Sequence, residues 1–182
     1  MAIRDIVIIP SPVLKKKAAA VSAVDARVRQ LLDDMLDTMR AADGVGLAAP
    51  QIGVSLRVAV IDAPEKLADG TILAESRLLE LINPEITECS GHIEWDEGCL
   101  SIPGLQQIMQ RSAEVTCTYL DRHGKTQTLK ARGLLAVAIQ HELDHLDGKL
   151  IIDQSSVAKR DLYLQKLKKG KISTKYQTCI LP

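Results

Sequence analysis

The stretch LLAVAIQHELDHLDG, residues 134–148, carries a clear helical pattern and separates the β-rich middle of the chain from its C-terminal part. Apolar residues recur in it at helical spacing, and Gly148 is a typical helix terminator. A helix and then several strands precede this stretch and one further helix follows it, without alternation of strand and helix. This order favours the α+β class.

Periodicity also predicts the elements around this helix. Residues 25–42 form an amphipathic helix, because Val28, Leu31 and Met35 fall on one face. The other predicted elements are a buried strand at 56–64, a polar connection at 65–77, a strand at 78–89 interrupted at Asn83-Pro84, a hairpin at 114–131 turning at His123-Gly124, and a last helix at 155–169. The middle of the chain is therefore expected to be antiparallel β.

Length and composition indicate one globular domain spanning residues 1–182. The chain is 46% apolar and 25% charged and has no formal net charge. No apolar run reaches the roughly 18 residues of a membrane span. The N-terminus, MAIRDIVIIPSP, is too charged for a secretory signal. We therefore expect a monomeric cytoplasmic protein without membrane or DNA contacts, whose four cysteines are thiols.

The C-terminal segment, residues 155–182, is basic. It holds seven Lys or Arg residues against one acid, Asp161. Such a helix could contact RNA, for example at the ribosome. A solvated helix face is the favoured interpretation, because Leu162, Leu164 and Leu167 would seat the helix while its lysines face water.

The segment QHELDHL, residues 140–146, contains half of a metal site. At about 100° per residue, His145 lies roughly 40° from His141 around a helix, and Glu142 lies about 100° from it. Two neutral imidazoles can then bind one ion, and the carboxylate can take a proton from an activated water. Leu134 and Ala138 fall beside the histidines by the same geometry, so the wall that leads to the site is apolar.

The third ligand does not come from this helix. A metzincin would need histidine at Ile151, and a thermolysin-type enzyme would need a later glutamate, but none follows Glu142. The remaining candidates are His92, His123, Asp153, Asp161, Cys89, Cys99, Cys117 and Cys179. Cys99 stands out because Gly98 permits a tight turn before it and Pro103-Gly104 closes the segment. The residues alone leave the choice open.

Three motifs occur in order along the chain: GVGLAAPQIG at 44–53, EGCLS at 97–101 and QHELDH at 140–145. Together they resemble the signature motifs of the peptide deformylase family, and the similarity begins at the N-terminal IIPSPVLKKKA. The resemblance implies a hydrolase that removes the formyl group from the N-terminal formylmethionine of nascent polypeptides. It also implies that antiparallel β-sheets surround a central metal-binding helix, with an amphipathic helix before them and a C-terminal helix after.

The resemblance assigns roles in the reaction. The metal ligands would be Cys99, His141 and His145, with water in the fourth position. Glu142 would take a proton from the metal-bound water that attacks the formyl carbon, and would deliver it to the leaving amine as formate is released. The Gln51 side-chain amide and the Leu100 backbone N–H would stabilise the oxyanion.

Further residues map onto the substrate pocket of the family. The methionine side chain would be lined by Val45, Trp95, Leu134, Val137 and Ala138. Gly44 and Gly46 would let the peptide backbone lie close and pair in β fashion. Glu97 and Gln140 would orient the ligands and the catalytic glutamate. Gln106 and Trp95 depart from residues common in the family, so the subsite preference beyond methionine stays open.

One divalent ion per chain is implied, with Fe²⁺ expected in the cell, and Zn²⁺, Ni²⁺ and Co²⁺ also accept one thiolate and two imidazoles. A general metallopeptidase is disfavoured by a cysteine as third ligand. A non-catalytic, metal-stabilised protein of the ribosome exit region would need neither Glu142 nor Gln51. A phosphate loop at GVGLAAPQIG is disfavoured because no Lys-Ser/Thr pair follows its glycines.

Overall fold

The computed structural model of the protein describes residues 2–173. These residues form three α-helices, α1 (Ala26–Ala41), α2 (Gly133–Leu146) and α3 (Val157–Lys168). The strands are β1 (Gly46–Ala48), β2 (Val58–Lys66), β3 (Ile72–Ser90), β4 (Ile93–Gly98), β5 (Gln106–Arg111), β6 (Glu114–Leu120) and β7 (Thr126–Arg132). They form a five-stranded antiparallel sheet in the order β1-β2-β3-β6-β7 and a separate β4-β5 hairpin. The predicted α+β class with antiparallel strands is confirmed.

Helix α1 forms where the periodicity predicts it. The Asp25 side chain caps its N-terminus by accepting hydrogen bonds from the backbone N–H groups of Arg27, at 2.9 Å, and Val28, at 3.0 Å. The apolar stripe of the helix is buried, with Leu32 and Met35 fully covered. It packs against β1 and β2, and so supports the strand that lies within the first sequence motif.

Helix α2 lies on the five-stranded sheet and contacts β1, β2 and β7. Its first residue, Gly133, has a φ of 55°, and a Cβ added to it would lie 2.1 Å from the carbonyl oxygen of Lys66. Only glycine fits at this position, because both the backbone conformation and the close approach of β2 exclude a side chain. The glycine therefore allows α2 to start directly against the sheet.

One predicted connection is wrong. Residues 65–77 are not a polar linker, because β2 extends to Lys66, β3 begins at Ile72, and the two strands pair as a hairpin. Residues 68–78 are all exposed. A strand with two solvated faces lacks the alternation of a half-buried strand, so its sequence resembles a loop.

Two further features differ from the predictions. Asn83 does not interrupt β3; it has a φ of 51° in a strand that continues past it with a register shift between Ile82 and Glu85. Its side chain exchanges two 2.8 Å hydrogen bonds with the backbone of Val21, which holds this bulge. The β4-β5 hairpin is absent from the sequence predictions, although it leads directly into Cys99.

Helix α3 is anchored by Tyr163, the buried residue of the helix, whose hydroxyl donates a 2.8 Å hydrogen bond to the Pro103 carbonyl. Leu162 does not seat the helix, since it is 53% exposed, whereas Leu164 and Leu167 pack partly against the core. The rest of the basic segment, residues 174–182, lies outside the described residues. Within residues 2–173, no helix combines the length and apolar character needed to cross a membrane.

Candidate metal centre and active site

Three of the predicted ligands come together beside α2. His141 and His145 lie one turn apart on this helix, and Cys99 directly follows β4. One donor atom of each lies within 4.8 Å of the others, and Cys99 Sγ is 3.2 Å from His145 Nε2. In the described part of the chain, none of the other third-ligand candidates joins this cluster, and Cys179 lies outside that part. The geometry therefore favours Cys99.

The donor set fits a tetrahedral divalent cation. Bonds of about 2.3 Å to sulfur and about 2.1 Å to nitrogen would place donor atoms roughly 3.6 Å apart, within the spacing of this cluster. Burial lowers the pKa of His145 well below its ordinary value, so its imidazole is neutral. Burial alone would also lower the pKa of His141, but hydrogen bonds with Cys99 and Glu97 raise it well above its ordinary value. His141 thus lies in negatively charged surroundings, and a bound cation would neutralise that charge.

A buried ionic network holds His141 from behind. Its Nδ1 lies 2.7 Å from Glu97 Oε2. The Arg111 guanidinium donates two hydrogen bonds to the Glu97 carboxylate, at 2.6 and 2.8 Å, and a third to Asp144 Oδ2 at 2.6 Å. Burial alone would raise the pKa of Glu97, but the hydrogen bonds from Arg111 and His141 hold it below its ordinary value. Glu97 is therefore ionised, and it directs His141 Nε2 toward the centre.

The Gln51 side chain has a fixed orientation. Its Oε1 accepts a 2.8 Å hydrogen bond from the Ala48 backbone N–H, so its amide nitrogen is directed away from β1. That nitrogen lies 3.8 Å from Cys99 Sγ, and the side chain is buried. A neutral donor is thereby placed beside the metal-binding cluster.

Glu142 directs its carboxylate at β1. A Cβ added to Gly46 would lie 2.3 Å from Glu142 Oε1, so a side chain at this position would displace the carboxylate. Burial raises the pKa of Glu142 to about 7. Its Oε2 is buried without a hydrogen-bond partner among residues 2–173. A carboxyl group in this setting can accept and return a proton near neutral pH.

Comparison with known proteins agrees with this geometry. The family model described as polypeptide deformylase matches residues 3–161. The chain belongs to the polypeptide deformylase family. A curated peptide deformylase of Thermodesulfovibrio yellowstonii is 45% identical over 171 residues, covering 94% of this chain and all of the relative.

Solved structures of the family share the fold. A crystal structure of a peptide deformylase from Legionella pneumophila has a TM-score of 0.82 and 45% identity, covering 93% of this chain and 96% of that one. The Ehrlichia chaffeensis peptide deformylase in complex with actinonin has a TM-score of 0.87 and 38% identity, covering 95% of this chain and all of that one. The deformylase fold therefore extends over nearly the whole chain.

A cleft lies over the centre in this member of the deformylase family. The predicted substrate residues that line it are Val45, Gly46, Val137 and Ala138. Leu134 and Trp95 do not line this cleft; they are 4% and 5% exposed, in the core cluster that also contains Val137 and Ala138. These two residues therefore back the pocket instead of forming its surface.

The sequence predictions miss two polar residues around α2 and give a third a different role. Arg111 and Asp144 are absent from the sequence predictions, although a buried arginine is almost never without a partner. Gln140 was expected to orient the ligands or Glu142. Its amide instead exchanges 2.9 Å hydrogen bonds with the backbone of Ser112, so it fixes α2 to the β5-β6 turn.

Proposed function

We propose that this chain removes the formyl group from N-formylmethionyl peptides and releases formate. The observation that carries the proposal is Glu142, a buried carboxyl group whose Oε2 has no partner among the described residues, beside three convergent metal donors and a cleft. Relatives that match nearly the full chain bear the name peptide deformylase. The site thus combines a proton carrier with the means to activate a water molecule.

Cys99, His141 and His145 would hold one divalent ion, with Fe²⁺ the proposed metal in the cell and Zn²⁺, Ni²⁺ or Co²⁺ acceptable replacements. When bound, the ion supplies Lewis-acid chemistry that makes water nucleophilic near neutral pH. The ligand set contributes one thiolate and two neutral imidazoles, which supports a single net positive charge at the site. Glu97 and Arg111 keep His141 in its ligating orientation.

Glu142 acts as the proton carrier. It accepts a proton from the attacking water as the oxygen bonds to the formyl carbon, and it returns that proton to the amine nitrogen as the C–N bond breaks. Formate and a free N-terminal amine are the products. This role needs a carboxylate that is not a metal ligand, and Glu142 Oε2 has no partner among the described residues.

Gln51 and Leu100 would stabilise the negative charge that develops on the formyl oxygen. The hydrogen bond from Ala48 to Gln51 Oε1 leaves the amide N–H group directed toward Cys99. Leu100 follows Cys99 directly and lines the same cleft. Neutral donors suit this position, since a lysine would compete with a bound cation.

The peptide would lie along β1, which is an edge strand of the five-stranded sheet. Main-chain pairing at Gly46 would accept many sequences, as an enzyme acting on nascent chains requires. The apolar wall formed by Val137 and Ala138 would receive the methionine side chain. We also propose a monomer in the cytoplasm.

Formate release from formyl-Met-Ala-Ser tests the proposal. The metal-loaded protein should release formate in step with the appearance of a free amine. Glu142→Gln should lower kcat by about 10³-fold, because general acid–base catalysis contributes on this scale. Glu75→Gln, on the exposed β2-β3 hairpin, is the matched control and should leave kcat unchanged. A metal-loaded protein that releases no formate, or a Glu142→Gln variant with the activity of the control, would contradict the proposal.

A further inference from the structure

An N-terminal arm, residues 2–9, precedes the first helix and strand. The backbone N–H of Val7 donates a 2.7 Å hydrogen bond to the carbonyl oxygen of Gln51, and the N–H of Ile9 donates a 3.0 Å hydrogen bond to the carbonyl oxygen of Ser101. Because the two donors are two residues apart, the chain between them spans at most about 7 Å. One short stretch of the arm therefore joins two segments that are far apart in the sequence.

These two segments carry the proposed oxyanion donors. Gln51 supplies a side-chain amide, whose nitrogen lies 3.8 Å from Cys99 Sγ. Leu100 supplies a backbone N–H, and Ser101 follows it directly in the turn after β4. Oxyanion donors act only when they are held at the right distance from the reacting atoms. The distance between the two donors depends on what holds their segments together, and the arm is bonded to both segments.

The side chains of the arm are packed at the same place. Ile9 is buried in the cluster that contains Cys99, and Val7 packs partly against this cluster. Both acceptor residues, Gln51 and Ser101, are also buried. Away from water, a lost hydrogen bond is not replaced by one to solvent, so these contacts hold the backbone firmly.

The start of the arm is anchored on α1. The Arg4 guanidinium donates two hydrogen bonds to Asp34 Oδ2, at 3.0 and 2.7 Å, and the Ala2 N–H donates one to Asp34 Oδ1 at 3.0 Å. The Arg4 backbone N–H donates a 2.9 Å hydrogen bond to Thr38 Oγ1. Asp34 and Thr38 are buried, and a buried carboxylate requires partners of this kind. The arm is therefore attached at one end to a rigid helix and at the other to the site.

We propose that the N-terminal arm positions the oxyanion donors, because the N–H groups of Val7 and Ile9 set the distance between the Gln51 amide and the Leu100 N–H. This inference rests on the proposed deformylase function. Val7 and Ile9 do not line the cleft, so they act on the reaction through the two donors. Interactions that strengthen in the transition state raise kcat, whereas uniform substrate binding changes KM. Loosening the arm should therefore lower kcat and leave KM nearly unchanged.

Val7→Pro tests the arm in the metal-loaded enzyme. Proline has no backbone N–H, so the hydrogen bond to the Gln51 carbonyl is lost. With formyl-Met-Ala-Ser, kcat should fall roughly 10- to 100-fold, while KM and metal content change little. Val7→Ala keeps the N–H and should lower kcat much less. Ile3→Pro is the matched control, because it places the same residue in the same arm at a side chain that is 62% exposed, and it should leave kcat unchanged.

A double-substitution cycle separates positioning from a general structural role. Gln51→Ala removes the amide itself and should lower kcat about 10²- to 10³-fold. If the Val7 N–H acts through this amide, adding Val7→Pro to Gln51→Ala should lower kcat by less than about 3-fold more. If the two losses multiply in full, Val7 does not act through Gln51, and the positioning role is contradicted.

Amide hydrogen exchange gives a second measurement, which does not depend on the folding of a variant. In the unmodified protein, the Val7 and Ile9 amides should exchange at least about 100-fold more slowly than the Ile3 amide. Equal exchange rates would show that the arm is not held at the site, and would contradict the inference. If the unmodified enzyme releases no formate, the proposed function fails. If it releases formate and Val7→Pro keeps kcat, the arm has no positioning role while deformylation stands.

Discussion

The two faces of α2 are packed in different ways. The face toward the Cys99 turn is polar, and hydrogen bonds of 2.6 to 2.8 Å join His141 and Asp144 to Glu97 and Arg111. The opposite face, about 160° around the helix, contains Ile139, which is fully buried in a cluster with residues of the five-stranded sheet. Hydrogen bonds are directional, whereas apolar contacts tolerate side chains of similar volume. The apolar face thus attaches the helix, and the polar face positions the reactive groups.

The largest effect is expected when Arg111, the positively charged side chain that pairs with this polar face, is replaced. Arg111→Met leaves Glu97 ionised and buried without its main partner, which should lower the free energy of unfolding by about 3 to 5 kcal/mol. Urea unfolding measures this. Arg132→Met is the matched control, because Arg132 and Glu114 form an exposed pair, worth less than about 1 kcal/mol. Adding Glu97→Gln to Arg111→Met should recover part of the lost free energy of unfolding. If Arg111→Met and Arg132→Met lowered the free energy of unfolding equally, the contrast between the two faces of α2 would be contradicted.

The next largest effect is expected at Gly46, where β1 lies against the Glu142 carboxylate of α2. Gly46→Ala would place a methyl group where Glu142 Oε1 now lies. Displacing the carboxylate by about 1 Å should lower kcat roughly 100-fold, with metal content unchanged. Gly44→Ala is the comparison variant, because the nearest atom to its Cβ would be the flexible end of Leu100, at 3.0 Å, and kcat should fall less. An active Gly46→Ala enzyme would show that Glu142 need not lie against β1.

The same contrast explains which features could be predicted from the sequence. The helical spacing of His141 and His145 and the burial of α1 follow from periodicity, because each depends on residues close together in the chain. The position of Arg111 could not be predicted, because it depends on the pairing of β4 with β5, and those strands are rich in Glu and Gln. The sequence predicts that Gly46 lets a peptide backbone lie close. That Glu142 fills the space left by the missing side chain depends on the packing of α2 against β1.

A smaller effect is expected in the metal-free protein and depends on pH. The pKa of Glu142 is about 7 in the folded protein, above its ordinary value of 4.5, so the folded state holds more protons between these values. The stabilising contribution of the protonated Glu142 carboxyl group to the free energy of unfolding is therefore present below pH 4.5 and is lost as the pH rises through 7. Relative to the unmodified chain, Glu142→Gln should gain roughly 2 kcal/mol in the free energy of unfolding from pH 5 to 8. For Glu75→Gln, the difference in the free energy of unfolding from the unmodified chain should not change with pH. If the difference for Glu142→Gln also stayed constant with pH, the raised pKa of Glu142 would be contradicted.

The smallest effect is expected on the apolar face. Ile139→Val removes one methylene from a fully buried side chain that makes no hydrogen bond, which should cost about 0.5 to 1.5 kcal/mol. The turn that carries Cys99 and the carboxylate of Glu97 lie on the other side of the helix, so kcat and metal affinity should stay unchanged. Urea unfolding and metal titration measure the two properties separately. If Ile139→Val weakened metal binding by the roughly 10-fold or more expected for loss of a partner that orients a ligand, the two faces would be coupled through the helix, and the separation between attachment and positioning would be wrong.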